Sequence, residues 1–404
     1  MKFSSALAAR RTLAVAAALL LQGCADIPPG WMLLQRQSAI TDHQHFVNAN
    51  IAPAREAAPL AVADNPALHL PTFPGRSFDQ FMEQNGTVAM VVVKGGKVVM
   101  ERYYNGYQRE SVATSFSVAK SVVSALVGIA IEAGQIGSVD DPITRYVPEL
   151  AKRDTRFGNI TIAHLLSMRS GIRFDEGYLS PLDDAARFYL TPDLLSKISG
   201  MTIRQAANEA HYYSSGDTQL LGLIVQRATG MPLAQYLQQT IWQPMGAQFE
   251  ASWSMDSGKN GLAKAFCCLN GRALDYARFG LLYLNQGKFN GKQIVPAQWV
   301  RDSTAVREYP GADPATRWNL EATGKRVAAY YVWQWRRAVE ADPGSELGFK
   351  PGADFFAQGL HGQFIYIAPA QDLVIVRLGA RTGEVWWPGL LGALARLNPK
   401  SGTE

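Results

Sequence analysis

The chain has 404 residues, 47% of them apolar and 18% charged, enough for a large bilobal core and too apolar for a disordered chain. Its formal charge of +5 falls to about +2 once Lys2, Arg10 and Arg11 of a removable leader are discounted. No Lys/Arg block marks a nucleic-acid surface, so nucleic acid is excluded as a partner.

The leader comes first. Lys2, Arg10 and Arg11 form a positive n-region, and Leu13 to Leu21 is an apolar run. The run is shorter than the roughly 20 residues of a membrane-spanning helix and fits a signal h-region. It ends in Leu21-Gln22-Gly23-Cys24, which resembles a bacterial lipobox. Residues 1–23 are therefore expected to be cleaved and Cys24 lipidated, placing the protein on the periplasmic side of the cell envelope. An ordinary secretory signal with an incidental cysteine is the alternative reading. Residues 24–76 hold many Pro, Ala and Asn and read as a tether and irregular arm. His43 and His45 lie there without a third ligand nearby and read as solvated.

Order begins near Ser77. Val88 to Val93 and Lys97 to Tyr104 are β-rich runs separated by Gly95-Gly96, a two-residue hairpin signal. Ser117 to Ala133 is almost continuously apolar and of helical length, which predicts a helix buried at the centre of the protein. Helical spacing recurs at Ile162 to Met168, Leu220 to Ala228, Leu233 to Leu237 and Ala273 to Leu284. A further helix is expected over Ala297 to Ser303 with Trp299 on its apolar side. Strands return at Tyr330 to Trp335, Gln363 to Ile367 and Leu373 to Leu378, with a turn at Pro369 to Asp372 and a closing helix over Glu384 to Leu397. Cys267 and Cys268 are adjacent. Two small buried residues is the preferred reading, with a vicinal disulfide as the alternative. The pattern predicts an α+β fold. Its sheet lobe is built from 77–139 and 261–404, and its helical lobe from 140–260.

Ser117-Val118-Ala119-Lys120 is the only Ser-x-x-Lys in the chain. Roughly one match is expected by chance, so the context must carry the argument. The motif opens the most apolar helix, where positions i and i+3 share a face. A lysine in an apolar site loses hydration, its pKa falls, and it can accept the serine proton. The helix start also favours a developing oxyanion. Tyr213-Ser214-Ser215 precedes another helix and could aim a phenol and a hydroxyl into a cleft. His361-Gly362-Gln363 leads into a strand, where a glycine lets another chain approach the backbone.

Together these segments resemble the serine β-lactamase-like, penicillin-recognising superfamily over about residues 77–400. The branch they most resemble holds class C β-lactamases, carboxypeptidases and esterases, and within it the 6-aminohexanoate-dimer hydrolases. The resemblance rests on Thr114-Ser115-Phe116-Ser117-Val118-Ala119-Lys120-Ser121, Leu165-Leu166-Ser167-Met168-Arg169-Ser170-Gly171, Asp275-Tyr276-Ala277-Arg278-Phe279-Gly280 and His361-Gly362-Gln363. It implies an antiparallel sheet flanked by helices, an all-helical lobe and a site in the cleft between them. It further implies Ser117 as acylated nucleophile, Lys120 as its proton acceptor, and Tyr213 as a shared base and the donor to the leaving group. The N–H groups of Ser117 and Phe364 would bind the oxyanion. Ser215, His361 and Gln363 would line the pocket, and Tyr178 would touch substrate. Class C β-lactamases carry Tyr-x-Asn and Lys-Thr-Gly. Here the counterparts read Tyr213-Ser214-Ser215 and His361-Gly362-Gln363, which weakens a β-lactamase reading but spares the acylation machinery.

The expected activity is hydrolysis of a small amide or ester through an acyl-enzyme, with no cofactor or metal. A β-lactamase or D-alanyl-D-alanine carboxypeptidase is the alternative, and a penicillin-binding sensor without turnover is a third. No Gly-x-Ser-x-Gly and no His-Glu-x-x-His occurs, which argues against an α/β-hydrolase and a zinc hydrolase. The oligomeric state is not readable from the sequence.

Overall fold

The first strand of the body is apolar at nearly every position because both of its faces are covered. The structure, a computed structural model, describes residues 38–400 except 58, 65–66, 179, 181, 259–260 and 324–325. The leader and Cys24 lie outside the described residues. Strand Thr87–Lys94 is buried along all but its last residue. Successive side chains of a strand point to opposite faces, so Val91 and Val93 enter one core while Met90 and Val92 enter another. Gly95 and Gly96 take φ of 57° and 74°, as the tight hairpin to Lys97–Tyr103 requires.

Eight strands form the principal sheet, every neighbouring pair antiparallel. Their order is Lys97–Tyr103, Thr87–Lys94, Leu373–Gly379, Gln363–Ala368, Phe349–Gly359, Arg336–Ala341, Arg326–Tyr331 and Leu320–Thr323. The two ends of the chain meet at the pairing of Val91 with Val376. One face carries Phe78–Gln84 and Trp387–Arg396, whose Phe78, Met82, Trp387 and Leu391 pack with Phe364 and Tyr366. The other face carries Val118–Glu132 and Ala273–Leu284. Short helices between Pro148 and Leu237 build the second lobe around Ser215–Thr229, which packs on Val118–Glu132. This is the expected α+β arrangement. Among the described residues no helix is long and apolar enough to cross a membrane.

Three expectations change. The arm is not irregular throughout: Asn48–Ile51 is an edge strand of a small sheet with Ala251–Ser254, Leu269–Gly271 and Ala113–Thr114. The run Tyr330 to Trp335 straddles a hairpin turn between two strands, with Gln334 at φ 64°. Cys267 and Cys268 are joined by a vicinal disulfide where the chain turns through φ 67° at Cys268.

Candidate active site

The small sheet delivers Thr114, and the Ser115 N–H is held by the Leu269 carbonyl at 2.8 Å. Phe116 then takes φ 45°, a left-handed conformation that costs a bulky residue free energy and persists only where surroundings impose it. That turn sets Ser117 at the N-cap of Val118–Glu132. The helix is pinned from the far side: Ser121 Oγ donates to the Gln334 carbonyl at 2.6 Å and Ser124 Oγ to the Trp333 carbonyl at 3.0 Å.

One turn on, Lys120 is 1% exposed. Its Nζ lies 3.2 Å from Ser117 Oγ, 3.0 Å from Ser215 Oγ and 2.7 Å from the Phe266 carbonyl. Burial is the main force on its pKa, lowering it from 10.5 to about 7; Glu176 opposes and Arg336 assists. A hydrated lysine is almost wholly protonated at neutral pH, whereas this one is poised to lose or take a proton there.

The Tyr213 phenol is within hydrogen-bonding reach of Ser117, and burial raises its pKa despite the Arg336 guanidinium. It therefore holds its proton at neutral pH. Arg336 lies 5.3 Å from the Tyr213 ring centre and pairs with Glu321 at 2.5 Å. Ser117, Tyr178, Tyr213, Arg336, His361 and Trp386 line a cleft of about 470 Å³ together with the turn Gln358 to Gly362 and the 382–388 segment. The expected residues Ser117, Lys120 and Tyr213 thus converge, with Tyr178 at the rim.

Ser215 does not line the cleft. It is fully buried beneath Lys120, and its hydroxyl donates to Glu176 Oε1 at 2.6 Å while its N–H donates to Glu176 Oε2 at 2.7 Å. Ser214, not Ser215, caps the helix, accepting from Asp217 N. Gln363 is unavailable to substrate: Nε2 donates to the Leu360 and Gly379 carbonyls, and Oε1 accepts from Gly379 N. Phe364 sits opposite Gln358 on one side and Arg377 on the other. An interior strand spends its backbone groups on the ladder, so Phe364 contributes a wall and not an oxyanion donor. His361 reaches the cleft, but its Nε2 contacts the Ser38 carbonyl at 2.7 Å and its ring meets Phe116 edge-on.

The glycine expected to admit substrate is also a different one. A Cβ on Gly362 would fall 2.2 Å from Arg377 Nη1, so this glycine makes room for a buried arginine. Gly359 makes the close approach: a Cβ there would lie 2.4 Å from the Ser115 carbonyl oxygen and 3.1 Å from Ser117 N. The strand segment beside Ser117 is therefore Ala357-Gln358-Gly359. Sequence reasoning missed Glu176, although it stands only two residues before Tyr178. It also missed Arg336 and the Phe266 carbonyl, for which no local signal exists.

A Beta-lactamase family model matches residues 76–386. The chain belongs to the beta-lactamase family. Among its relatives, the 6-aminohexanoate-dimer hydrolase of Paenarthrobacter ureafaciens is 27% identical over 346 residues, covering 83% of this chain and 80% of its own. Esterase EstB of Burkholderia gladioli is 30% identical over 191 residues, 42% of this chain and 48% of its own. A solved structure from Bacillus anthracis, named as a candidate 6-aminohexanoate-dimer hydrolase, superposes with TM-score 0.71 at 25% identity, covering 89% of this chain and 92% of that one. A class C β-lactamase at TM-score 0.54 and 16% identity, covering 79% and 92%, shares the fold. This is the β-lactamase/transpeptidase-like fold, in a family of serine hydrolases. Two further family stretches prove structural. Arg169 clasps Asn208, Asn319 and the Thr316 and Pro310 carbonyls, and Asp275 with Arg278 forms a fully buried pair at 3.1 Å.

Proposed function

We propose that the protein cleaves amide or ester bonds of small, linear substrates through an acyl-enzyme on Ser117. The observation that carries this reading is the buried Lys120 amine, 3.2 Å from Ser117 Oγ. In its neutral form it takes the hydroxyl proton as Oγ attacks the substrate carbonyl. Negative charge then develops on the carbonyl oxygen. Ser117 N–H at the helix start can receive it, with the main chain at Gly359–Leu360, rather than Phe364, as its facing partner. Tyr213, protonated at neutral pH, donates to the leaving nitrogen or oxygen and is recharged from the Lys120 ammonium. Water repeats the attack on the ester and regenerates Ser117.

The rim supports an apolar chain as the acyl or leaving group. Tyr178, Trp386 and Leu360 are 45%, 39% and 37% exposed and all border the cleft. The strand beside Ser117 offers Ala357 and Gln358 where a β-lactamase holds a lysine for the drug's carboxylate, and Arg336 at the cleft wall is paired with Glu321. The relatives' names, a linear amide hydrolase and an esterase, fit this preference. We further propose that the protein is exported and anchored through lipid on Cys24. A Cys24→Ala variant is expected to leave the membrane fraction, and unchanged membrane retention would refute the anchor.

The test of the activity is a fluorophosphonate probe with a substrate panel. Labelling is expected for the native protein and lost in Ser117→Ala, with turnover of nitrophenyl esters or a linear aminohexanoate dimer. Labelling that survives Ser117→Ala overturns the nucleophile. Rapid cephalosporin turnover with inert esters and amides overturns the substrate class.

A further inference from the structure

A neutral lysine amine has two N–H donors and one lone pair, and three oxygens surround the Lys120 amine. Which oxygen meets the lone pair decides whether Lys120 can act as a base. The Phe266 carbonyl, at 2.7 Å, can only accept, so it takes one N–H. The Ser215 hydroxyl can accept or donate. If it donated to Lys120 it would occupy the lone pair and silence the base. Its proton, however, points to Glu176 Oε1 at 2.6 Å. The carboxylate is locked in that pose by the Ser215 N–H on Oε2 at 2.7 Å and by the Tyr178 hydroxyl on Oε1. A carboxylate only accepts, so Ser215 Oγ must receive the second N–H of Lys120. The lone pair is left for Ser117 alone.

We infer that Glu176 is a positioning residue that fixes the direction of the Lys120–Ser215–Glu176 hydrogen-bond chain, and thereby turns the Lys120 lone pair onto Ser117. This rests on the acyl-enzyme reading above. Glu176 touches neither Ser117 nor the cleft. It acts through the rotor state of one hydroxyl, and Tyr178 at the rim couples that state to whatever occupies the cleft.

Glu176→Gln tests it, because a glutamine can present its NH2 to Ser215 Oγ and let that hydroxyl donate to Lys120. The expected result is a fall of roughly 10²-fold in kcat with KM changed by less than about threefold, since substrate contacts are untouched. The charged groups facing Lys120 are Glu176 and the Glu321-paired Arg336, and Tyr213 and Tyr178 are the other titratable neighbours. Removing the Glu176 charge takes away the one contribution that raises the Lys120 pKa, so the rising limb of the pH–rate profile is expected to move to lower pH while its plateau drops. A loss of folded protein would lower the plateau without moving the limb. Ser215→Ala removes the rotor, so adding Glu176→Gln to it should cost little more, a strongly non-additive pair. A wild-type plateau in Glu176→Gln, or additive losses in the double variant, overturns the inference. Fluorophosphonate labelling lost in Ser117→Ala keeps the underlying reading standing in either event.

Discussion

A lysine can serve as a base near neutral pH only if something removes its proton preference, and here the agent is burial. At about 1.4 kcal/mol per pKa unit, moving Lys120 from 10.5 to about 7 corresponds to ~5 kcal/mol against the buried ammonium. The neutral fraction at pH 7 rises by on the order of 10³ as a result. The expected pH dependence of kcat/KM is a limb with its midpoint near 7 and unit slope below it, so activity falls about 50-fold between pH 7 and pH 5. Lys120→Arg, whose guanidinium stays protonated, should lose roughly 10³-fold or more at every accessible pH. The same shift has a stability consequence of definite sign. Between about pH 7 and pH 10.5 only the unfolded chain holds this proton, so the fold gains stability as pH rises through that window and has lost that gain below about 7. Lys120→Met should remove that component from denaturant midpoints measured across the window. A kcat/KM profile flat from pH 5 to pH 8, or a midpoint above about 9, would refute the reasoning, because either means the base is not this desolvated amine.

Two packing features make further predictions. Gly359→Ala places a Cβ 2.4 Å from the Ser115 carbonyl, where the neighbour is backbone and cannot step aside. It should cost ~1–3 kcal/mol by thermal unfolding and lower kcat/KM tenfold or more, and a variant matching wild type in both would show that the approach is not tight. Asp275→Asn removes a charge partner of buried Arg278 and weakens the acceptors of Gln248 N and Phe249 N. It should cost about 3–5 kcal/mol in denaturant unfolding while the folded fraction keeps near-normal kcat, and a cost below about 1 kcal/mol would contradict a structural role.

The helices were legible because their apolar spacing is a direct image of burial on one or more faces. Leu233–Leu237 and Ala273–Leu284 have the bounds the spacing predicts. The paired strands at the two chain ends were legible for the same reason, being apolar on both faces. The strand Phe349–Gly359 was not, because Lys350, Pro351, Gly352 and Asp354 occupy its first half and read as a loop. That omission led to the wrong glycine: without a strand ending at Gly359, Gly362 was the natural candidate for close approach. Ser117 and Lys120 sit one helical turn apart and were within reach of local reasoning. Glu176, Phe266 and Arg336 join them only through tertiary folding, and no spacing along the chain announces that. Ser215 was expected to line the pocket, whereas its hydroxyl lies buried between Lys120 and Glu176, since a hydroxyl's direction depends on partners that lie far off in sequence.

The pairing of Thr87–Lys94 with Leu373–Gly379 bears on when, during synthesis, the protein becomes active. Ser117 and Lys120 leave the ribosome well before the strand that faces them, which ends at Gly359, and the strand that closes the sheet, Leu373–Gly379, is made later still. Contacts of such long sequence separation form late and slowly. A nascent or C-terminally truncated chain therefore carries the reactive motif without the walls that desolvate the lysine or seat a substrate. On the acyl-enzyme reading, hydrolytic competence waits on synthesis of the chain through Gly379, and a copy stopped before that strand is expected to be inert.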